Sequence, residues 1–248
     1  MASRSQSTRA RSPEAKRARE ATILAAATRL ATANGIRSVT LTDIAAEVGM
    51  HKSAMLRYFE TREEIFLRLA AAGWVEWSQA VRMQLADAAP GADGEDAASA
   101  ADAANAASTA NAMSGVGHES RPHAVAALLA ESLVARPLFC DLLAHTPMNL
   151  ERNVSLESVR AFKLTAIAEV TAVGDALRRV VTLSPAQAGN VVATATSMAG
   201  ALWQMAAPGT ELRRLYESDP HLAHAVVDVA PRLTDILGGL LRGYGAGG

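Results

Sequence analysis

The sequence predicts an all-α chain on three observations. Apolar residues recur every three or four positions through most of its length, and no stretch alternates with period two. Half of the 248 residues are apolar but only 4% are aromatic, and alanine is abundant, which suits helices packed closely through small side chains. Ser, Thr or Pro before the helical runs and Gly or Pro after them divide the pattern into segments of helical length. There is no apolar run of about 18 residues, so no membrane span is expected. The charged N-terminus lacks the apolar stretch of a secretory signal. The single cysteine, Cys140, excludes an internal disulfide framework and fits a reducing cytoplasm. Beside Phe139 and Leu142 it reads as a core residue rather than a redox switch.

Residues 1–12 are polar and basic, with nothing to bury, and read as a flexible arm. The first helix is expected at 13–34, with Ser12 as cap, Pro13 at the first helical position and Gly35 past the end. Its apolar face is Ile23, Ala27 and Leu30. Thr40 and Asp43 have the spacing of a capping pair for a second helix at 42–48, with Ile44, Ala45 and Val48 inward. Gly49 supplies a tight turn. A third helix at 51–59 buries Met55 and Phe59 and leaves His51, Lys52, Ser53 and Arg57 outward. Thr61 and Glu64 form a second capping box, opening a long helix over 62–88 with stripes at Ile65, Leu69, Ala72 and Gly73 and at Trp74, Trp77, Val81 and Leu85. Residues 89–121 are rich in Ala, Ser, Gly, Asn and Asp and read as a disordered surface insertion, because so little apolar surface cannot offset the entropy of ordering. Helical segments resume at 122–135, 137–145, 154–181, 185–206 and 221–243, punctuated by Pro137, Pro147, Pro185 and Pro208. Pro231 requires the last segment either to kink or to begin afresh there.

The net charge of −1 conceals an asymmetry. Residues 1–62 hold 11 Lys/Arg against 5 Asp/Glu, a balance of +6, and the remainder holds 13 against 20, a balance of −7. A basic front attracts phosphate and an acidic back repels it. A short helix, a glycine turn and a second short helix is the arrangement that seats a helix in the DNA major groove. His51 and Lys52 stand at the N-terminus of that second helix, where the macrodipole also favours phosphate. Lys52 can donate to guanine O6 or N7, and Ser53 can exchange hydrogen bonds with several base edges. Arg57 and Tyr58, one turn on, can reach the sugar-phosphate backbone, as can Arg62 in the first turn of the fourth helix. The arm adds Arg4, Arg9 and Arg11, with Lys16, Arg17 and Arg19 just beyond; this basic run reads equally as a phosphate-tracking extension or a solvated tail.

The residues Thr40, Leu41, Asp43, Ile44, Ala45, Val48, Gly49, Met50, Tyr58, Phe59, Glu63 and Glu64, at their joint spacing, resemble the N-terminal DNA-binding domain of the TetR (tetracycline-repressor) family of bacterial transcriptional regulators. The resemblance covers about residues 18–68. It implies a helix-turn-helix DNA-binding domain over 13–62 and a helical ligand-binding and dimerisation domain over 63–248. It assigns DNA contacts to Thr42, His51, Lys52, Ser53, Arg57, Tyr58 and Arg62, to which Thr40 at the start of the second helix is added. Two positions depart from the family pattern. Leu56 stands where the family usually carries a phosphate-contacting tyrosine, and a leucine can only pack, for example against a thymine methyl. Arg62 replaces the usual lysine, keeping charge but changing geometry.

The expected function is a sequence-specific transcriptional regulator, a repressor released from a pseudo-palindromic double-stranded DNA operator by a small-molecule effector. The alternatives are an activator of the same family and a non-specific DNA-architectural protein. A homodimer is expected, with an interface from a small-residue stripe at Ala186, Gly189, Ala193, Ser197 and Gly200 and an apolar stripe at Val226, Val229, Leu233, Leu237, Leu240 and Leu241; both stripes also fit the domain's own core. Trp74, Trp77, Phe139, Met148, Phe162, Met198, Trp203 and Met205 are candidate pocket lining. His221 and His224 lack a third ligand nearby, so no metal is expected, nor any cofactor. No phosphate loop, nucleophile elbow, HExxH or CxxC nominates an enzyme.

Overall fold

The structure, a computed structural model, describes residues 13–88 and 121–246. The expected arm at 1–12 and nearly all of the expected insertion at 89–121 therefore lie outside the described residues. Among the described residues the chain is all-α, with no strand. The N-terminal head comprises α1 (Pro13–Asn34), a 3₁₀ turn (Ile36–Ser38), α2 (Leu41–Glu47) and α3 (Lys52–Met55). The long α4 (Arg62–Asp87) leaves the head and enters the body, built with α5 (Arg121–Val134), α6 (Pro137–His145), α7 (Leu156–Val180), α8 (Pro185–Ala206), α9 (Glu211–Ser218) and α10 (Val229–Gly245).

Local chemistry accounts for most boundaries. Thr40 and Asp43 form a reciprocal capping box: the Asp43 amide donates to Thr40 Oγ1, and the Thr40 amide donates to Asp43 Oδ2 at 2.8 Å. Hydrogen bonds from the Thr40 hydroxyl and amide hold the Asp43 carboxyl below the ordinary carboxylate range. The expected box at Thr61 is only half formed. Thr61 Oγ1 accepts from the Glu64 amide, but the Glu64 carboxylate turns back one residue further and accepts from the Glu60 amide at 2.8 Å. Ser184 and Gln187 make a full box at the start of α8, next to Pro185.

Several expected boundaries and faces are corrected. The third helix is four residues long, not nine, and continues as tight turns through Tyr58 and Phe59. Helix α5 begins at Arg121 and so takes the last residue of the expected insertion. On α4 the first stripe does not hold: Ala72 is exposed, and the buried line is Ile65, Phe66, Ala70, Trp74, Trp77, Val81 and Leu85. The expected helix at 221–243 is divided into a 3₁₀ segment (Pro220–Ala225) and α10, which begins afresh two residues before Pro231, where a missing amide costs nothing. Helix α9 was not foreseen, although Leu212, Leu215 and Tyr216 stand at helical spacing along it; none of its residues is buried.

The body pairs α4 with α7, α5 with α10 and α6 with α8. Trp77 is fully buried, and its indole N–H donates to Ser132 Oγ at 2.9 Å, whose hydroxyl donates on to the Leu129 carbonyl. Cys140 is a buried core residue, as expected; burial foremost, with the neighbouring Asp141 charge, pushes its thiol up to about 12, so it stays protonated. Gly200 lets α8 lie against α6: a Cβ there would meet the Ala144 backbone nitrogen at 2.8 Å.

Head and body are joined by a partly buried polar group. Asp141 on α6 accepts the Ile36 amide of the 3₁₀ turn at 3.1 Å on Oδ2, and the Gln204 side-chain amide of α8 at 2.8 Å on Oδ1. His145, one turn later on α6 and almost fully buried, directs Nδ1 at the Asp141 carbonyl (2.9 Å) and carboxylate (3.2 Å), so that nitrogen carries a proton. Burial raises the Asp141 pKa, but hydrogen bonds from His145, Ile36 and Gln204 together with the His145 charge outweigh it and hold the carboxyl low. His145 is pushed up, chiefly by its hydrogen bond to Asp141, against burial and the opposing charge of Arg37.

Two predictions follow from this packing. Gly200→Ala should destabilise the fold by about 1–3 kcal/mol, because backbone rather than a mobile side chain blocks the new methyl. Gly174→Ala, whose Cβ would find Ala188 at an ordinary 3.5 Å, should be neutral or stabilising, and denaturant melts of the two variants check the contrast. A depressed Asp141 pKa contributes stability that is lost as pH falls through it, and a raised His145 pKa contributes stability lost as pH rises through it. The pair is therefore strongest between about pH 4 and 6.5 and weakens at higher pH. Thermal midpoints at pH 6 and 8.5 should differ more for the wild type than for His145→Gln, and an equal difference would refute the contribution.

Candidate nucleic-acid interface

The recognition segment is built on a turn that only one residue type accommodates easily. Gly49 has φ +64°, in the left-handed region, and its amide closes on the Ala46 carbonyl at 3.0 Å while the Met50 amide reaches Ala45 at 2.8 Å. His51 then caps α3 in extended conformation, without a side-chain cap bond. Met55 and Phe59 are sealed in the head core with Ile23, Ile36, Ile44 and Phe66, which sets the rotation of α3 about its axis.

That rotation leaves His51, Lys52, Ser53, Leu56 and Arg57 on the surface in a continuous row, with Thr40 and Thr42 at the start of α2 also exposed. Lys52 and Arg57 form no ion pair among the described residues, although other exposed arginines do: Arg29 on α1 pairs with Glu47 on α2 at 2.9 Å. Two cations and several hydroxyl or imidazole groups therefore stand free on one face. Leu56 is 48% exposed within this row.

The other candidates sit differently. Thr40 spends its hydroxyl and amide on the capping box. Tyr58 is half-buried against the core. Arg62 points inward: Nε donates to the Val39 carbonyl and Nη2 to the Ile36 carbonyl, Nη1 pairs with Glu63 at 2.8 Å, and the guanidinium lies 4.9 Å from the Phe66 ring centroid. Its side chain is 18% exposed. The charge of Arg62 was legible in the sequence, but its engagement by the turn before α2 was not.

In the body, Trp74, Trp77 and Phe139 come together as one aromatic cluster with centroids 5.7 to 6.2 Å apart. Phe162 lies elsewhere, on a cavity of about 610 Å³ between the first turns of α4 and α7. Trp203 lines a cavity of about 580 Å³ beside Arg213 and Val229, and another of about 410 Å³ at the junction with the head. Met148 and Met205 are exposed, and Met198 is partly buried against the core. The eight residues thus divide among separate places. Among the described residues no group of three or more His, Cys, Asp or Glu is placed to hold a metal, and no helix is long and apolar enough to cross a membrane.

Comparison with known proteins agrees with this architecture. The family described as bacterial regulatory proteins, tetR family, matches residues 23–69, and the tetracyclin repressor-like C-terminal domain matches residues 94–248, more than half of the chain. No curated protein matches significantly in sequence. Among solved structures, a protein assigned to the TetR family of transcriptional regulators from Mesorhizobium loti MAFF303099 superposes with a TM-score of 0.51 at 13% identity, over 93% of this chain and 96% of that one. A transcriptional regulator of the TetR/AcrR family from Thermobifida fusca YX-ER1 shows 17% identity over 92% and 98% of the two chains, with a TM-score of 0.45. With a helix-turn-helix head and a helical body each matched by its own family domain, this chain belongs to the TetR family of bacterial transcriptional regulators.

Proposed function

We propose that this chain is a cytoplasmic repressor that binds a pseudo-palindromic operator as a homodimer and leaves it when a small-molecule effector occupies the body. The observation that carries the reading is the exposed row of His51, Lys52, Ser53 and Arg57 on a helix whose other face is sealed in the head core. In this reading Lys52 and Ser53 meet base edges, while Thr42, His51, Arg57 and Tyr58 hold phosphates. Thr40 and Arg62 serve the same surface by fixing the backbone that presents it.

The dimer reading is supported by what the monomer leaves uncovered. On α8, Ala186, Ala193 and Ser197 are exposed and Gly189 has open space beside it. Gly200 leaves the expected stripe, being buried against α6. The expected apolar stripe of α10 turns inward at Val229, Leu233, Leu237 and Leu241, because α5 packs along it. Its outer side offers Gly239, Gly243 and the half-buried Ile236 and Leu240 next to α8. Small residues on two adjacent helices allow the close approach that a two-fold four-helix contact needs. For the effector, Phe162 and Trp203 are the proposed lining residues that border open cavities. Ligand binding that tilts α4 would separate two heads spaced for successive major grooves.

Selection of genomic fragments on the purified protein should enrich a short inverted repeat that survives excess random DNA. Loss of enrichment under competition would replace this reading with charge-driven architectural binding. On the selected duplex, Lys52→Ala should weaken binding by about 1–3 kcal/mol and relax preference at one base pair. Arg57→Ala should weaken binding to all sequences alike and reduce the salt slope by about one. Ala193→Arg should convert the dimer to monomer in sedimentation velocity while the helical signal stays intact; a monomeric wild type would refute the dimer, and an Ala193→Arg protein that remains dimeric would place the interface elsewhere.

A further inference from the structure

The turn Ile36–Ser38 is gripped from two sides by residues distant in sequence. From α4, Arg62 donates to the carbonyls of Ile36 and Val39. From the body, the Asp141 carboxylate accepts the Ile36 amide across 105 positions of sequence. We propose that Asp141 is the positioning residue through which the body holds the head, and that the Ile36–Ser38 turn is the point where movement of α6 and α8 is delivered to α2 and α3. The link to DNA rests on the function proposed above; the grip on the head does not.

The surroundings of Asp141 suit this role. Gln204 on α8 and His145 on α6 both donate to its carboxylate, so the charge is oriented by two helices before it reaches the head. Those helices are locked together one turn away, where Gly200 meets the Ala144 backbone. A shift of the α6–α8 pair therefore carries the carboxylate with it rather than being absorbed between them. Beyond Ile36 the turn runs through Val39, whose carbonyl Arg62 holds, directly into the Thr40 cap of α2. A cavity of about 410 Å³ lies at this junction, walled by Asn34 and Gly35 of the head and Leu138, Asp141, Trp203 and Pro208 of the body, so the carboxylate borders open space on one side while Ile36 is sealed in the core on the other. Gly35 (φ +76°) precedes the turn, and Gly209 (φ +74°) and Ala207 (φ +43°) follow α8. The polar bond and the packing of the fully buried Ile36 thus act together on the register of the two parts.

Hydrogen-exchange mass spectrometry on the full chain tests this without DNA. Asp141→Ala should raise exchange about tenfold over residues 36–41 and 50–58 and leave residues 188–206 unchanged. Asp141→Asn keeps a single carbonyl oxygen able to accept the Ile36 amide, and should fall between Asp141→Ala and the wild type. Should Asp141→Ala not fold, Asp141→Asn and Gln204→Ala carry the comparison, with exchange over residues 36–41 raised about threefold. Unchanged exchange in the head, or an even rise across head and body, would overturn the proposal. On the genomic duplex selected above, Asp141→Asn should weaken binding several-fold while the salt slope stays that of the wild type, since the phosphate-contacting side chains are intact; a changed slope would overturn the positioning role. If no duplex is selected at all, the DNA reading fails and the exchange result still decides the grip on the head.

Discussion

A helix of four residues has no stability of its own, and the whole DNA-reading surface depends on how α3 is held. Isolated helices become stable only at about 12–15 residues, so Lys52–Met55 must be positioned by tertiary burial. Met55 and Phe59 supply it: both are fully buried in the core that also holds Ile23, Ile44 and Phe66, and full burial of such side chains contributes about 1.5–3 kcal/mol apiece. Both side chains lie on one side of the segment, so their burial forces His51, Lys52, Ser53 and Arg57 to the other. Gly49 sets the angle at which the segment arrives, and the Thr40–Asp43 box fixes where α2 begins. Everything proposed about base and phosphate contacts follows from that anchoring.

The same head has to be oriented with respect to a much larger body, and here polar chemistry does what apolar packing does inside each part. The body's core is continuous along α4 through Trp74, Trp77, Val81 and Leu85, with the Trp77–Ser132 bond satisfying the one polar group that this aromatic cluster buries deepest. Apolar contact is non-directional and can tolerate sliding. A carboxylate that receives an amide, an imidazole and a carboxamide is directional, and it lies where α6 passes beneath the head. Helix α4 and the Asp141 group therefore connect head and body in different ways, one as a continuous rod and the other as a point fixing.

Much of the fold was legible because its signals are local. Capping residues, proline positions and the turn glycine placed α1, α2, α4, α6 and α8 nearly to the residue, and outward positions on α3 could be assigned from Met55 and Phe59 alone. The misreadings share a cause: they concern faces whose partner is remote. The spacing of Val229, Leu233, Leu237 and Leu241 shows that α10 buries a stripe, but only the neighbouring α5 makes that partner internal. Gly200 belongs by spacing to the stripe of Gly189 and Ala193, and only the approach of α6 separates it from them. Helix α9 does carry apolar residues at helical spacing, Leu212, Leu215 and Tyr216, but both leucines stay about half exposed, so periodicity and burial part company there.

By itself the sequence determined the helical class, the glycine-turned pair of short helices, the basic front and the resemblance that these carry, because each is read from residue types and their spacing along the chain, with no knowledge of what packs opposite. Only the tertiary structure decided that Arg62 faces the Ile36 and Val39 carbonyls, that Trp74, Trp77 and Phe139 share one cluster while Phe162 lies apart, and that Asp141 receives the Ile36 amide. Spacing along a chain encodes which face a residue occupies. What stands opposite that face is set by helices brought together from 100 residues away, and no local pattern records it.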